Sequence, residues 1–188
     1  MQVFNERGYE ATSMEDLAKA SGLTKSTFYH HVSSKQELLG MAVGRALDAL
    51  TAVFDDETPA PQSVRPVDRL QNALRSTTEV LLAELPYVTL LLRVRGNTEV
   101  ERAALDGRRA FDDRLAGLVR EAADAGQIRD DIEARLVARL LFGMVNSVTQ
   151  WYRPASRISE PQIVRAVVEL AMTGLRPPRD FGEDDQRS

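Results

Sequence analysis

"GLTKSTFYHHVSSK", residues 22–35, follows a short amphipathic segment and contains both histidines of the chain beside two aromatic residues. From Gly22 to Gln36 there is no acid, so only Lys25, Lys35 and the histidines can carry charge in this window. A helix over 13–21, a turn at Gly22, Leu23 and Thr24, and a second short helix over 25–31 reproduce the spacing of a helix-turn-helix. Ala18, Leu23, Phe28 and Val32 are expected to fix the crossing of the two helices, with Leu17, Leu38 and Leu39 joining from neighbouring turns. If Phe28 points inward, helical geometry turns Lys25, Ser26, Thr27, Tyr29 and His30 toward other faces, and several must meet solvent. These residue types reach phosphates and base edges. His31, three positions after Phe28, is expected on the inward side.

Other chemistries fit the stretch less well. His30 and His31 are adjacent, so they project about 100° apart on a helix and do not share one ion unaided. No acid lies nearby to orient a histidine for catalysis, and the chain has neither a glycine-rich phosphate loop nor a serine elbow. The pattern therefore points away from an enzyme, and no metal or cofactor is expected. Any amphipathic helix pair also presents Lys, Ser and Thr to water, so spacing alone leaves a DNA contact and a plain solvated face both open.

The 188 residues suffice for a real hydrophobic core, and the net charge of −4 argues against a broadly basic nucleic-acid coat. A DNA contact must come from a local patch. With no cysteine there is no disulfide framework or thiolate chemistry. No signal-like N-terminus is evident, and the most apolar run, "LLFGMVNSV", is too short to span a bilayer, so a cytoplasmic protein without membrane contact is expected.

Helix signals dominate the chain and strand signals are nearly absent, which predicts an all-α fold. Ser13 with Asp16, Ser34 with Glu37 and Thr98 with Glu101 have capping-box spacing at helix starts. Gly22 and Gly126 mark helix ends, while Pro86 and Pro154 punctuate others. The expectation is about nine helices, over 1–7, 13–21, 25–31, 35–56, 66–84, 87–95, 98–125, 132–152 and 160–174. "TPAPQSVRP", residues 58–66, reads as a loop because its prolines remove donors and disfavour helix. Residues 1–40 would form one domain, 41–175 a second, and 176–188 a polar, disordered tail.

"FNERGYEATSMEDLAKASGLTKSTFYHHVSSKQELL", residues 4–39, resembles the DNA-binding domain of the TetR family of bacterial transcriptional regulators. The resemblance implies a homodimeric repressor that binds a palindromic operator and is released by a small effector. It assigns Thr24, Lys25, Ser26 and Thr27 to bases or phosphates in the major groove, and Tyr29 and His30 to backbone and a base edge. Lys35 would meet a phosphate, and Thr12 and Ser13 would cap the second helix and touch phosphate. The family has a longer first helix than this sequence. The alternative is a helical small-molecule-binding protein whose DNA-binding domain is not operative.

Beyond residue 40 the resemblance implies an effector-binding and dimerisation bundle. "LVARLLFGMVNSVTQWY", residues 136–152, is apolar on most faces and is expected to be buried on more than one side. Together with 160–174 it would form the intersubunit bundle through Phe142, Gly143, Val145, Thr149, Ile163, Val167 and Leu170. In 98–125, Arg108, Phe111, Leu115, Leu118 and Ala122 share a stripe. Arg108 either snorkels its head to water or awaits an anion, and Asn146 is either a satisfied core amide or a ligand handle. In "YVTLLLRVRG", Arg93 and Arg95 diverge by about 200° and cannot both face inward. The expected effector pocket combines Tyr87, Leu91, Arg95, Arg108, Phe111, Leu115, Asn146 and Trp151. "NSVTQWYRP" resembles the corresponding segment in family members that control fatty-acid and steroid catabolism in response to acyl-CoA thioesters.

Overall fold

The computed structural model describes residues 1–54 and 64–177, without the side chain of Gln2. Among these residues there are nine helices and no strand: α1 (Gln2–Arg7), α2 (Met14–Ser21), α3 (Lys25–His31), α4 (Lys35–Ala52), α5 (Pro66–Ala83), α6 (Leu85–Arg93), α7 (Glu99–Asp124), α8 (Ala134–Trp151) and α9 (Glu160–Gly174). Most of the proline-rich loop expected at 58–66, the end of the fourth expected helix at 55–56, and nearly all of the expected tail lie outside the described residues.

The local signals act much as the sequence predicts. The Ser13 hydroxyl accepts the Asp16 N–H at 3.1 Å while Asp16 Oδ2 accepts the Ser13 N–H at 3.0 Å, a reciprocal cap repeated by Thr98 and Glu101. Ser34 caps α4, but Glu37 turns to the N–H and hydroxyl of Ser33 instead of closing the box on Ser34. Gly22 ends α2 at φ 70°, a left-handed conformation that a Cβ would strain. Pro86 does not precede α6. It sits in its first turn, where a missing N–H costs no helical hydrogen bond, so α6 begins at Leu85.

α1–α3 and the start of α4 form a small head around Phe4, Leu17, Ala18, Phe28 and Leu39, all buried. α4 runs from this head into a larger body, where it packs on α6 and α7. Gly107, in the middle of α7, lets the two long helices meet: a Cβ there would lie 2.9 Å from Leu47 Cδ1. α5 lies centrally against α7, α8 and α9. The body core runs through Phe54, Phe111 and Phe142, whose neighbouring ring centroids are 5.1 Å and 4.9 Å apart. Burying each such ring is worth about 1.5–3 kcal/mol.

Candidate nucleic-acid interface

The interface begins with the caps that position α3. Thr24 Oγ1 accepts the Thr27 N–H at 3.2 Å and lies 2.8 Å from the Thr27 hydroxyl, so both threonines hold the start of α3 as well as presenting oxygen to solvent. Phe28 is buried against α2, and Tyr29 packs edge-on to its ring at 6.1 Å. Lys25, Ser26, Thr27, Tyr29 and His30 are all exposed. Lys25 is 3.4 Å from Glu15, but both side chains are largely in water, so this pair does little to hold the lysine back.

Several expected roles change. Leu23 is 48% exposed and does not fix the crossing, because the left-handed turn at Gly22 swings it outward. His31 is exposed, not inward: the helix ends there and Val32 takes the buried position. Thr12 is buried and donates its hydroxyl to the Gly8 carbonyl at 2.7 Å, so it braces the turn between α1 and α2 instead of offering itself to phosphate. Ser13 is exposed and caps α2. Lys35 Nζ donates to the carbonyls of Tyr9 and Glu10 at 2.9 and 3.3 Å and lies 4.4 Å from the centre of the Tyr9 ring, which ties α4 to the α1–α2 turn. Tyr9 and Glu10 were missed as its partners because nothing in local spacing joins positions 26 and 25 residues apart.

The expected effector residues do not form one group. Leu91, Phe111 and Leu115 are buried in the body, and Arg108 and Asn146 are half-buried. Among the described residues, the buried oxygens Asn146 Oδ1, Asp112 Oδ1 and Thr77 Oγ1 have no hydrogen-bond partner. Tyr87 stacks under the Arg45 guanidinium at 4.4 Å. Arg95 lines a separate cleft beside the head. Trp151 is 50% exposed and faces away from the body core, since Val148 and Tyr152 take the buried positions at that end of α8.

The expected dimer residues divide in the same way. Phe142, Val145, Ile163 and Val167 are buried in the protomer's own core and leave little for a partner, whereas Gly143 and Leu170 are exposed and Thr149 is half-buried. The outward stripe of α8 carries Leu136, Leu140, Gly143 and Trp151, beside Leu170 of α9. An apolar α8 on almost every face hid which stripe was external.

A helix-turn-helix head carried on an all-helical body defines a DNA-binding regulator. Residues 1–41 match the family described as bacterial regulatory proteins, tetR family, and residues 63–175 match the tetracyclin repressor-like C-terminal domain. The chain belongs to the TetR family of transcriptional regulators. It is similar to a TetR-family regulator of known structure from Streptomyces coelicolor A3, with 54% identity and a TM-score of 0.84 over 93% of this chain and 88% of that one. The curated transcriptional repressor KstR2 of Mycobacterium tuberculosis is 24% identical over 92% of this chain and 87% of its own length. The structure of AibR in complex with isovaleryl coenzyme A and operator DNA shares the fold at 24% identity, with a TM-score of 0.72 over 90% of this chain and 91% of AibR. Among the described residues no helix is long and apolar enough to cross a membrane, and no cluster of acids and histidines could hold a metal.

Proposed function

We propose that this TetR-family repressor acts as a homodimer on a palindromic operator and is released by a small, partly apolar effector, with acyl-CoA thioesters as the first class to test. The observation that carries the DNA-binding part is the exposed, acid-free face of α3, held rigid by the Thr24 cap and the buried Phe28. Lys25, Ser26, Thr27, Tyr29 and His30 read the groove, and Ser13 approaches the backbone at the start of α2. Two protomers pair through Leu136, Leu140, Gly143, Trp151 and Leu170, an apolar surface too continuous to be left in water. That pairing sets the distance between the two α3 helices.

The effector reading rests on the body. Its aromatic core offers apolar surface, and Asn146 Oδ1 and Thr77 Oγ1 are acceptors for a ligand's donors. KstR2 is a repressor and AibR is a complex with an acyl-CoA, which supports the choice of class. A route from body to head exists in α6. Asn5 of α1 donates to the Pro86 carbonyl at 2.8 Å and receives Arg93 on its own carbonyl, while Arg45 of α4 grips Glu84 through two bonds of 2.7 and 2.9 Å. A ligand that shifts α6 moves α1 and α4 together and lowers operator affinity by its preference for the shifted arrangement.

The test is fluorescence anisotropy of labelled DNA from upstream of the protein's own gene, across a salt series, with and without a panel of acyl-CoAs. Nanomolar, salt-dependent binding relieved by one chain-length class is expected. DNA binding that no acyl-CoA relieves would remove the effector class. No salt-dependent DNA binding would favour a helical ligand-binding protein with an inoperative head.

A further inference from the structure

A cleft of about 680 Å³ opens where the α1–α2 turn of the head faces the α6–α7 turn of the body. Phe4 and Leu39 on the head side and Leu90, Leu92 and Val94 on the body side give it an apolar floor. Arg7, Arg93 and Arg95 line it, against Glu10 and Glu101. These charges are not equally free. The Glu101 carboxylate accepts the N–H groups of Arg95 and Thr98 at 3.1 and 2.9 Å and is buried, so it is committed to the start of α7. Arg93 is spent on the Asn5 carbonyl. Arg7 is paired with Asp16 at 3.0 Å, but the arginine side chain is 59% exposed and the pair is weak. The Arg95 guanidinium has no hydrogen-bond or ion-pair partner among the described residues, although its backbone N–H is fixed. Glu10 is the one acid of the lining left exposed, and three arginines against two glutamates leave the lining with a net charge of +1.

We infer that this cleft is a second ligand site, separate from the effector body, for an organic phosphate with one apolar face, bound by Arg95 and Arg7 above the apolar floor. Guanidinium groups suit phosphate because their planar donors match its oxygens in pairs. The apolar floor selects a phosphate that carries a flat organic part over the bare ion. Because Arg7 belongs to the head and Arg95 to the body, such a ligand touches both and favours one head–body arrangement over others. The inference stands whether or not the body takes acyl-CoA.

Isothermal titration calorimetry of the full chain with adenosine diphosphate and with inorganic pyrophosphate tests it. The diphosphate nucleotide is expected to bind more tightly than pyrophosphate, and Arg95→Ala is expected to weaken it about tenfold, the loss typical of one charge-assisted contact. Arg95→Lys should recover part of that loss. The Arg95 side chain is exposed and its backbone bond survives substitution, so the variants are expected to keep the wild-type melting temperature, which a thermal melt checks. Absence of nucleotide binding at millimolar concentration, equal binding of the two anions, or unchanged binding by folded Arg95→Ala would each overturn the site. A fatty acid without phosphate should not displace the nucleotide, and displacement would place the nucleotide in the body instead.

Discussion

Six buried apolar side chains, Phe4, Leu17, Ala18, Phe28, Val32 and Leu39, make the centre of the head, whereas the body layers α4, α5, α7, α8 and α9 around a row of mutually tilted phenylalanine rings. α2 and α3 have eight and seven residues, lengths at which an isolated helix does not hold in water. The head compensates at its helix ends, with side-chain caps at Ser13, Thr24 and Ser34 and the Lys35 tie to the α1–α2 turn. α7 and α8, at 26 and 18 residues, are capped as well, by Thr98 with Glu101 and by Glu133, and have long packed faces besides. Short helices held at their ends open more readily than long packed ones, so the head is expected to yield while the body stays folded.

The largest break in that contrast comes from the head core. Phe28→Ala removes the ring on which α2 and α3 cross and should cost about 3–5 kcal/mol. Hydrogen exchange is expected to lose protection across α2 and α3 while α7 and α8 keep theirs, and operator binding should disappear. Equal loss in α7 and α8 would make head and body one cooperative unit.

Next come the two lysines of the opening stretch. Lys25→Ala is expected to leave the melting temperature alone, weaken operator binding about uniformly across sequences and reduce the log–log salt slope by about 1. Lys35→Ala loses two carbonyl contacts and the Tyr9 ring and should destabilise the head by about 1–2 kcal/mol, with a lower operator affinity as a consequence. If Lys35→Ala changed only the salt slope, its side chain would belong to phosphate and its seat on Tyr9 would be incidental.

These residues also show what the sequence could carry. The helices, two of the three capping boxes and the outward turn of Lys25, Ser26, Thr27, Tyr29 and His30 were legible because each depends on neighbours within a turn or two. Thr12 and Trp151 were misplaced, and the contacts of Lys35 to Tyr9 and Glu10 were unseen, because each is decided by tertiary contacts or by which face of a helix the core takes. For α8, apolar on most faces, Val145 inside and Leu140 outside are told apart by which neighbours pack on the helix. The cleft around Arg95 was invisible for a related reason, since it joins residues 4–11 to residues 90–101.

Acid should weaken the caps of the head. Hydrogen bonds from the Ser13 hydroxyl and N–H hold the Asp16 carboxyl below its ordinary value, and those from Ser33 do the same for Glu37. A depressed carboxylate contributes stability above its unfolded value and loses it as pH falls through the folded one. The head is therefore intact above about pH 4.5 and loses cap stability below about pH 4. Ser13→Ala should cost about 1 kcal/mol at neutral pH and flatten that acid dependence, measured by hydrogen exchange in α2. An unchanged acid profile would mean that the cap does not set the weak point.

Asp112 of α7 has the opposite sign and the smallest expected effect. Burial raises its pKa, against the pull of Arg108 and Arg139 and with a push from Asp113, and its buried Oδ1 has no hydrogen-bond partner. A raised folded value means that the native state binds the proton more readily than the unfolded chain does, so ionisation near neutrality costs stability and acid relieves the cost. Asp112→Asn has no charge to bury and should stabilise the protein at pH 7 by less than about 1 kcal/mol. The gain should shrink as pH falls through the raised value and vanish below the ordinary carboxylate range, as followed by urea denaturation at several pH values. A variant less stable than wild type at pH 7 would show that attraction to the two arginines outweighs burial. Asp112 would then be a structural counter-ion of the α7–α8 contact.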